Sequence, residues 1–189
     1  MHARVGNVPN ANHSNPAPGM DALAHTAVLA LGSNLGESET TLEQAAADLV
    51  HLSGGAARLV RASGLYVTEP VGGPADQPDY INAILEVRTS LDPYALLVLC
   101  QQVEAHHHRV RLVRWGPRTL DIDVISYDDL VSDDPVLTLP HPRLHERLFV
   151  LMPLAEIDAD LHVPGLGTAA TLLTQLLATE HGQDCRRLV

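Results

Sequence analysis

Between positions 109 and 123 the chain reads R-V-R-L-V-R-W-G-P-R-T-L-D-I-D, with four arginines inside ten residues and two aspartates just past a Gly-Pro break. Residues 119–127 are rich in β-branched and apolar side chains and are predicted to form a strand. Side chains alternate faces along a strand, so Asp121 and Asp123 share a face, their stems about 7 Å apart, while Leu120, Ile122 and Val124 turn to a core. Two carboxylates on a rigid element suit a hard divalent cation such as Mg²⁺, which takes oxygen ligands and keeps waters and substrate phosphates. Planar, permanently charged guanidiniums match phosphate oxygens. A lone D-x-D or an arginine-rich loop is more often a solvated face. Together they form a constellation for handling a nucleoside triphosphate.

These groups need a scaffold, and the hydrophobic pattern supplies one. Residues 26–31 are predicted to be a short apolar strand, turned by Gly32-Ser33-Asn34, with Gly32 and Gly36 read as structural. A helix is predicted over 39–52, with Thr40 or Thr41 as N-cap and Glu43 or Gln44 completing a capping box. Gly54-Gly55 ends it. Residues 58–68 read as a second strand, followed by a Pro- and Gly-dense loop.

Residues 80–88 read as a third strand, with Ile81, Ala83, Leu85 and Val87 on one face and Tyr80, Asn82, Ile84 and Glu86 on the other. Tyr80 and Asn82 therefore project together, an aromatic plane beside an amide able to stack on and hydrogen-bond to a flat heterocycle. Such a pair is otherwise a strand end with a satisfied amide.

Asp92 is predicted to cap a helix with Pro93 at N1, running to 108 and burying Leu96, Leu99, Cys100 and Val103. Gln101 and Glu104, three apart, are placed on its polar side. His106, His107 and His108 diverge by about 100° per residue on a helix and are read as surface residues that cannot chelate one metal together. A short strand near 136–140, a helical stretch over 143–151 and a helix over 168–179 that packs Leu172, Leu173, Leu176 and Leu177 complete the pattern. The order strand, helix, strand, strand, helix, strand defines the expected fold class: α+β, a ferredoxin-like βαββαβ antiparallel sheet with helices on one face, plus a C-terminal helical extension.

The string R-W-G-P-R-T-L-D-I-D resembles the signature of the 6-hydroxymethyl-7,8-dihydropterin pyrophosphokinases of folate biosynthesis. A-L-G-S-N-L-G at 30–36, D-Q-P-D-Y-I-N-A at 76–83 and L-P-H-P-R at 139–143 are similar to that family too, in its order. The resemblance implies an ATP-dependent diphosphokinase that passes the β,γ-diphosphate of ATP to the hydroxymethyl group of the dihydropterin and releases AMP. It implies two Mg²⁺ ions held by Asp121 and Asp123, and catalytic roles for Arg109, Arg118, Asp121 and Asp123. Pterin contacts fall on Thr68, Pro70, Val71, Tyr80, Asn82 and Phe149, with Tyr80 and Phe149 sandwiching the ring. ATP contacts fall on Gln101, Glu104, Arg109, Arg111, Trp115, Arg118, His141 and Arg147, with Trp115 on a closing loop. Asp123 is the nearest candidate for a general base.

Composition narrows the alternatives. A chain of 189 residues suggests one domain, at 25–189, able to bury roughly 70% of the surface its unfolded form exposes. Residues 1–24, rich in Asn, Pro, Ala, His and Gly, read as a disordered extension. A net charge of −11 argues against general nucleic-acid binding. All twelve basic residues are arginine, which excludes a Walker A lysine, a kinase-type lysine and Schiff-base chemistry. No apolar run reaches the ~20 residues of a membrane span, and no signal-peptide pattern opens the chain. Two distant cysteines fit a reducing cytoplasm, and a monomer acting on small molecules is the expectation. A different Mg²⁺-dependent phosphotransferase or nucleotide hydrolase, and a non-catalytic ligand sensor, are the competing classes.

Overall fold

The structure, a computed structural model, describes residues 23–70, 74, 76–109, 116–179 and 182–188. Val71, Arg111 and Trp115 of the expected site lie outside these, as do residues 1–22 of the expected extension. Leu23 and Ala24 of the expected extension are described. Leu23 is buried, and its carbonyl accepts from the Arg88 guanidinium at 2.6 Å.

The elements run β1 (His25–Ser33), α1 (Ser38–Leu52), β2 (Ala57–Ala62), β3 (Tyr66–Thr68), β4 (Tyr80–Thr89), α2 (Pro93–His106) and β5 (Asp121–Tyr127). A hairpin of β6 (Ser132–Asp134) and β7 (Leu137–Leu139) follows, then a 3₁₀ turn (Leu144–Glu146) and α3 (Leu148–Ile157). A small pair, β8 (His162–Val163) and β9 (Gly167–Thr168), leads to α4 (Ala169–Leu177) and a last strand, β10 (Cys185–Arg187). The main sheet is antiparallel in the order β10-β3-β4-β1-β5, with β2 also pairing β4. Its centre is thus the expected ferredoxin-like arrangement. Among the described residues no helix is long and apolar enough to cross a membrane.

Several expectations change. The second strand is two, broken at Ser63: its N–H still donates to Ile84 O at 2.9 Å, but its hydroxyl, in place of its carbonyl, accepts the Ile84 N–H at 2.9 Å. Gly64 follows, where a Cβ would lie 2.6 Å from the Arg187 side chain of β10. The capping box is absent. Helix α1 starts at Ser38, so Thr41 sits a turn inside and donates to the Glu37 carbonyl at 2.9 Å. Helix α2 does keep its Asp92 cap, which accepts from Tyr94 N and Ala95 N at 3.0 and 2.9 Å and contributes about 1 kcal/mol. It ends at His106, and His107 lies partly buried with Nε2 3.0 Å from Asp48 rather than on the open surface.

The helices also cover both faces of the sheet, not one. Ala27, Leu29, Leu31, Ala83, Leu85, Val87, Ile122 and Val124 meet the apolar sides of α1 and α2. On the other face Val28, Ile84 and Ile125 pack under Leu144 and under Val150, Leu151 and Leu154 of α3, with Leu172 of α4 behind. Apolar side chains on both faces of β1 and β4 demand this, since each buried Leu, Ile or Val is worth about 1.5–3 kcal/mol. Leu177, expected to pack, is 55% exposed at the end of α4. Helix α3 covers only part of its face. The sheet floor left open beside it is where the polar residues stand.

Candidate active site

Strand register brings the site together. Gly32 of β1 lies opposite Asn82 of β4 on one side and Asp121 of β5 on the other, and Ala30 lies opposite Ile84 and Asp123. The small residues of β1 thus separate the Tyr80–Asn82 pair from the aspartates by one strand. A Cβ at Gly32 would come within 3.1 Å of Asn82 Oδ1 and 3.9 Å of the Tyr80 ring, so only glycine leaves this floor open. Gly32, expected to be structural, is part of the cleft lining.

The cleft, about 310 Å³, is lined by Asp121, Asp123, Arg109, Arg118, Tyr80, Asn82, Thr68, His141, Arg147 and Phe149, all expected from the sequence. Glu69 and Arg143 also line it and were missed. Arg143 carried a signal, being one of six arginines between 109 and 147. Pro70 and Gln101 are not among the lining residues, and Gln101 is exposed on α2. Glu104 is not on a polar face: it is 5% exposed, its carboxylate turned beneath Arg109. Helical spacing explains this, because position 104 falls four residues after buried Cys100 and beside buried Val103.

Asp121 is bracketed by arginines. Arg109 Nη1 reaches Oδ1 at 2.6 Å, and Arg118 Nη1 is bonded to Oδ2. The Arg118 peptide is fixed at both ends by Asn34, whose N–H donates to Arg118 O at 3.1 Å while its Oδ1 accepts from Arg118 N at 2.8 Å. The Arg118 guanidinium also lies 5.9 Å from the centre of the Tyr80 ring. Asp123 is less well neutralised, with Arg147 Nη1 at 3.8 Å and His141 Nε2 at 4.0 Å. Desolvation at the cleft floor and the neighbouring Asp121 charge push its carboxyl up to about 6, although 42% of the side chain stays open to the cleft.

Burial, with Arg147 and Arg143 close by, pulls His141 down to about 4, so the ring is neutral at pH 7. Its Nδ1 accepts from Arg143 N at 3.2 Å, which leaves the proton on Nε2, the atom facing Asp123. Asn82 donates to the Thr68 hydroxyl at 2.8 Å, which orients its amide with the oxygen over Gly32. The Phe149 ring at the start of α3 carries the Arg147 guanidinium 5.3 Å from its centre.

The aspartates fit a divalent cation of the Mg²⁺ type. They stand on one strand face, and the nearest basic groups to Asp123, Arg147 and His141, come no closer than 3.8 and 4.0 Å. Among the described residues no group of three or more His, Cys, Asp or Glu forms a closed cage.

Comparison with known proteins follows the same line. A family model described as 7,8-dihydro-6-hydroxymethylpterin-pyrophosphokinase (HPPK) matches residues 28–159. The 2-amino-4-hydroxy-6-hydroxymethyldihydropteridine pyrophosphokinase of Bacillus subtilis is 48% identical over 131 residues, covering 69% of this chain and 77% of that protein. Its namesake from Haemophilus influenzae is 42% identical over 150 residues, 79% of this chain and 92% of that one. Among solved structures, Plasmodium falciparum HPPK-DHPS A437G with pteroate superposes with a TM-score of 0.62 at 16% identity, over 80% of this chain and 43% of that longer one. At that identity the likeness concerns the fold.

Proposed function

The chain belongs to the 7,8-dihydro-6-hydroxymethylpterin-pyrophosphokinase family, and from that premise we propose how its cleft divides the work. The enzyme is a diphosphokinase of folate synthesis that transfers the β,γ-diphosphate of ATP to the hydroxymethyl group of 6-hydroxymethyl-7,8-dihydropterin and releases AMP. The observation that supports the assignment is the register around Gly32, which puts the Tyr80–Asn82 pair, suited to a flat ring, one strand away from a carboxylate–arginine cluster.

Tyr80 and Phe149 stack on the pterin, and Asn82, its amide oriented by Thr68, pairs with the polar edge of the ring. The hydroxymethyl oxygen then points from the slot toward the aspartates. It attacks the β-phosphorus in line while its proton passes to Asp123, the bond from that phosphorus to the α,β-bridging oxygen breaks, and AMP leaves with the electron pair. Asp121 and Asp123 hold Mg²⁺, two ions in our reading, which when bound neutralises charge on the phosphates. Arg109 and Arg118 meet the transferring diphosphate, and Arg147 and Arg143 the remaining phosphate charge. His141, neutral and protonated at Nε2, serves as a hydrogen-bond donor to a phosphate oxygen rather than as a base. With no lysine in the chain, positioning and guanidinium electrostatics carry what an ammonium does elsewhere.

The test is product analysis with pterin-slot variants. Incubation with ATP, Mg²⁺ and hydroxymethyldihydropterin is expected to yield AMP; ADP as the nucleotide product would overturn the reaction class. Phe149→Ala is expected to weaken pterin binding by about 0.5–1.5 kcal/mol beyond lost area. Asn82→Ala is expected to cost about 1–3 kcal/mol, because it leaves ring polar groups unpaired. Nucleotide affinity should hardly change in either. Variants that bind pterin normally and lose ATP would show the two halves of the cleft to be reversed.

A further inference from the structure

We propose that Glu104 is a positioning residue that holds Arg109 in the cleft when the Asp121 carboxylate is given over to a cation. The proposal rests on the reading of Asp121 as a cation ligand.

Glu104 sits in the last turn of α2 with its side chain 6% exposed. A carboxylate so placed is costly unless it is paired and hydrogen-bonded. Its Oε1 accepts the Ile122 N–H at 2.8 Å and is bonded to Arg109 Nη1. Ile122 lies between the two aspartates on β5, at the outer edge of the main sheet. Glu104 therefore supplies, at the cleft, the acceptor that a further strand would supply. Its main chain engages the same partner, with Arg109 N donating to Glu104 O at 3.0 Å. Arg109 is thus tied to Glu104 through both backbone and side chain, and its own side chain is only 10% exposed.

The charge arrangement gives this tie a purpose. Asp121 carries one arginine on each oxygen, Arg109 on Oδ1 and Arg118 on Oδ2. A divalent cation taking those oxygens repels both guanidiniums. An arginine whose only carboxylate were Asp121 would have to compete with the cation or leave it. Arg109 has a second, permanent carboxylate, so Asp121 can exchange partners while Arg109 stays in place. Arg118 differs: its other side-chain contacts include the Gly116 carbonyl and Tyr80, and no second carboxylate bonds it among the described residues. The two arginines then play separate parts, Arg109 held on the floor and Arg118 free to turn.

Glu104→Gln keeps an acceptor for Ile122 N–H and removes the charge. Mn²⁺ binding is measured by electron paramagnetic resonance with a non-hydrolysable ATP analogue, alongside kcat. Arg109, left with Asp121 alone, now opposes the cation. Mn²⁺ affinity and kcat are each expected to fall about tenfold. In an Arg109→Ala background the same substitution is expected to change both by less than twofold. Equal effects in the two backgrounds, or unchanged Mn²⁺ affinity in Glu104→Gln, overturn the proposal. If Glu104→Gln alone does not fold, Arg109→Ala against the double variant decides it, since that pair has no Arg109 guanidinium to leave unpaired: a double variant clearly worse than Arg109→Ala refutes action through Arg109. Asp121→Asn separates the premise. Retained Mn²⁺ binding there sinks the cation reading itself, whereas lost binding with an unaffected Glu104→Gln sinks only the role of Glu104.

Discussion

Asp121→Ala and Asp123→Ala are each expected to abolish turnover while the fold survives. Both carboxylates sit on an open stretch of sheet floor, away from the two apolar clusters, so neither side chain contributes much packing. Near-normal turnover in either variant, with Mg²⁺ as the only divalent ion, would remove the metal assignment.

Asp123→Asn adds a signature that a structural residue would not give. The Asp123 carboxyl is raised from 3.8 to about 6, so its contribution to stability is whole below pH 3.8 and lost as the pH rises through 6. At pH 7.5 the ionised group therefore opposes folding. Cleft water screens it, and the net cost is about 1 kcal/mol. Asn should then raise Tm by roughly 2–4 °C at pH 7.5 and by almost nothing near pH 4. His141 works the other way. Lowered from 6.5 to about 4, it gives stability that is present above pH 6.5 and lost as the pH falls through 4, so the acid limb should persist in Asp123→Asn. A variant less stable than wild type at every pH would show that Asp123 is held for its pairing with Arg147 rather than for a cation.

Arg118→Ala is expected to lower kcat by roughly 10²–10³, about 3–4 kcal/mol, by analogy with loss of one oxyanion donor. Arg118 lies three residues after Trp115, which the family resemblance puts on a closing loop. Asn34 clamps its peptide on both sides, so the backbone has little need to travel; the guanidinium turns from Asp121 to the diphosphate. A contact made chiefly in the transition state shows in kcat rather than in binding. Lys at this position should rescue only in part, because a point charge lacks the bidentate fork. Single-turnover kinetics beside equilibrium ATP binding, for wild type, Arg118→Ala and Arg118→Lys, distinguish the cases. Collapsed ATP affinity with a normal single-turnover rate at saturation would make Arg118 a ground-state anchor and end the turning-guanidinium account.

Local chemistry was legible in the sequence because it depends on period and residue type. Alternation alone placed Asp121 with Asp123 and Tyr80 with Asn82, and Asp92-Pro93 marked the start of α2. The central sheet followed from the order of the elements. Partnership between distant segments was not legible, since a strand pattern states which face a residue takes and not which neighbour it meets. Only the tertiary structure put Gly32 between Asn82 and Asp121, and so set the Tyr80–Asn82 pair one strand from the Asp121–Asp123 pair. Only packing revealed that α3 and α4 close the second face of the sheet, because Ile84 could be read as a site-facing neighbour of Asn82 or as core. Glu104 shows the same limit at one residue. Its charge suggested solvent, yet the position four residues after Cys100 buried it, and the N–H of Ile122 with the Arg109 guanidinium repaid the burial. Residue type set what each group could do; long-range register and desolvation decided which groups could do it together.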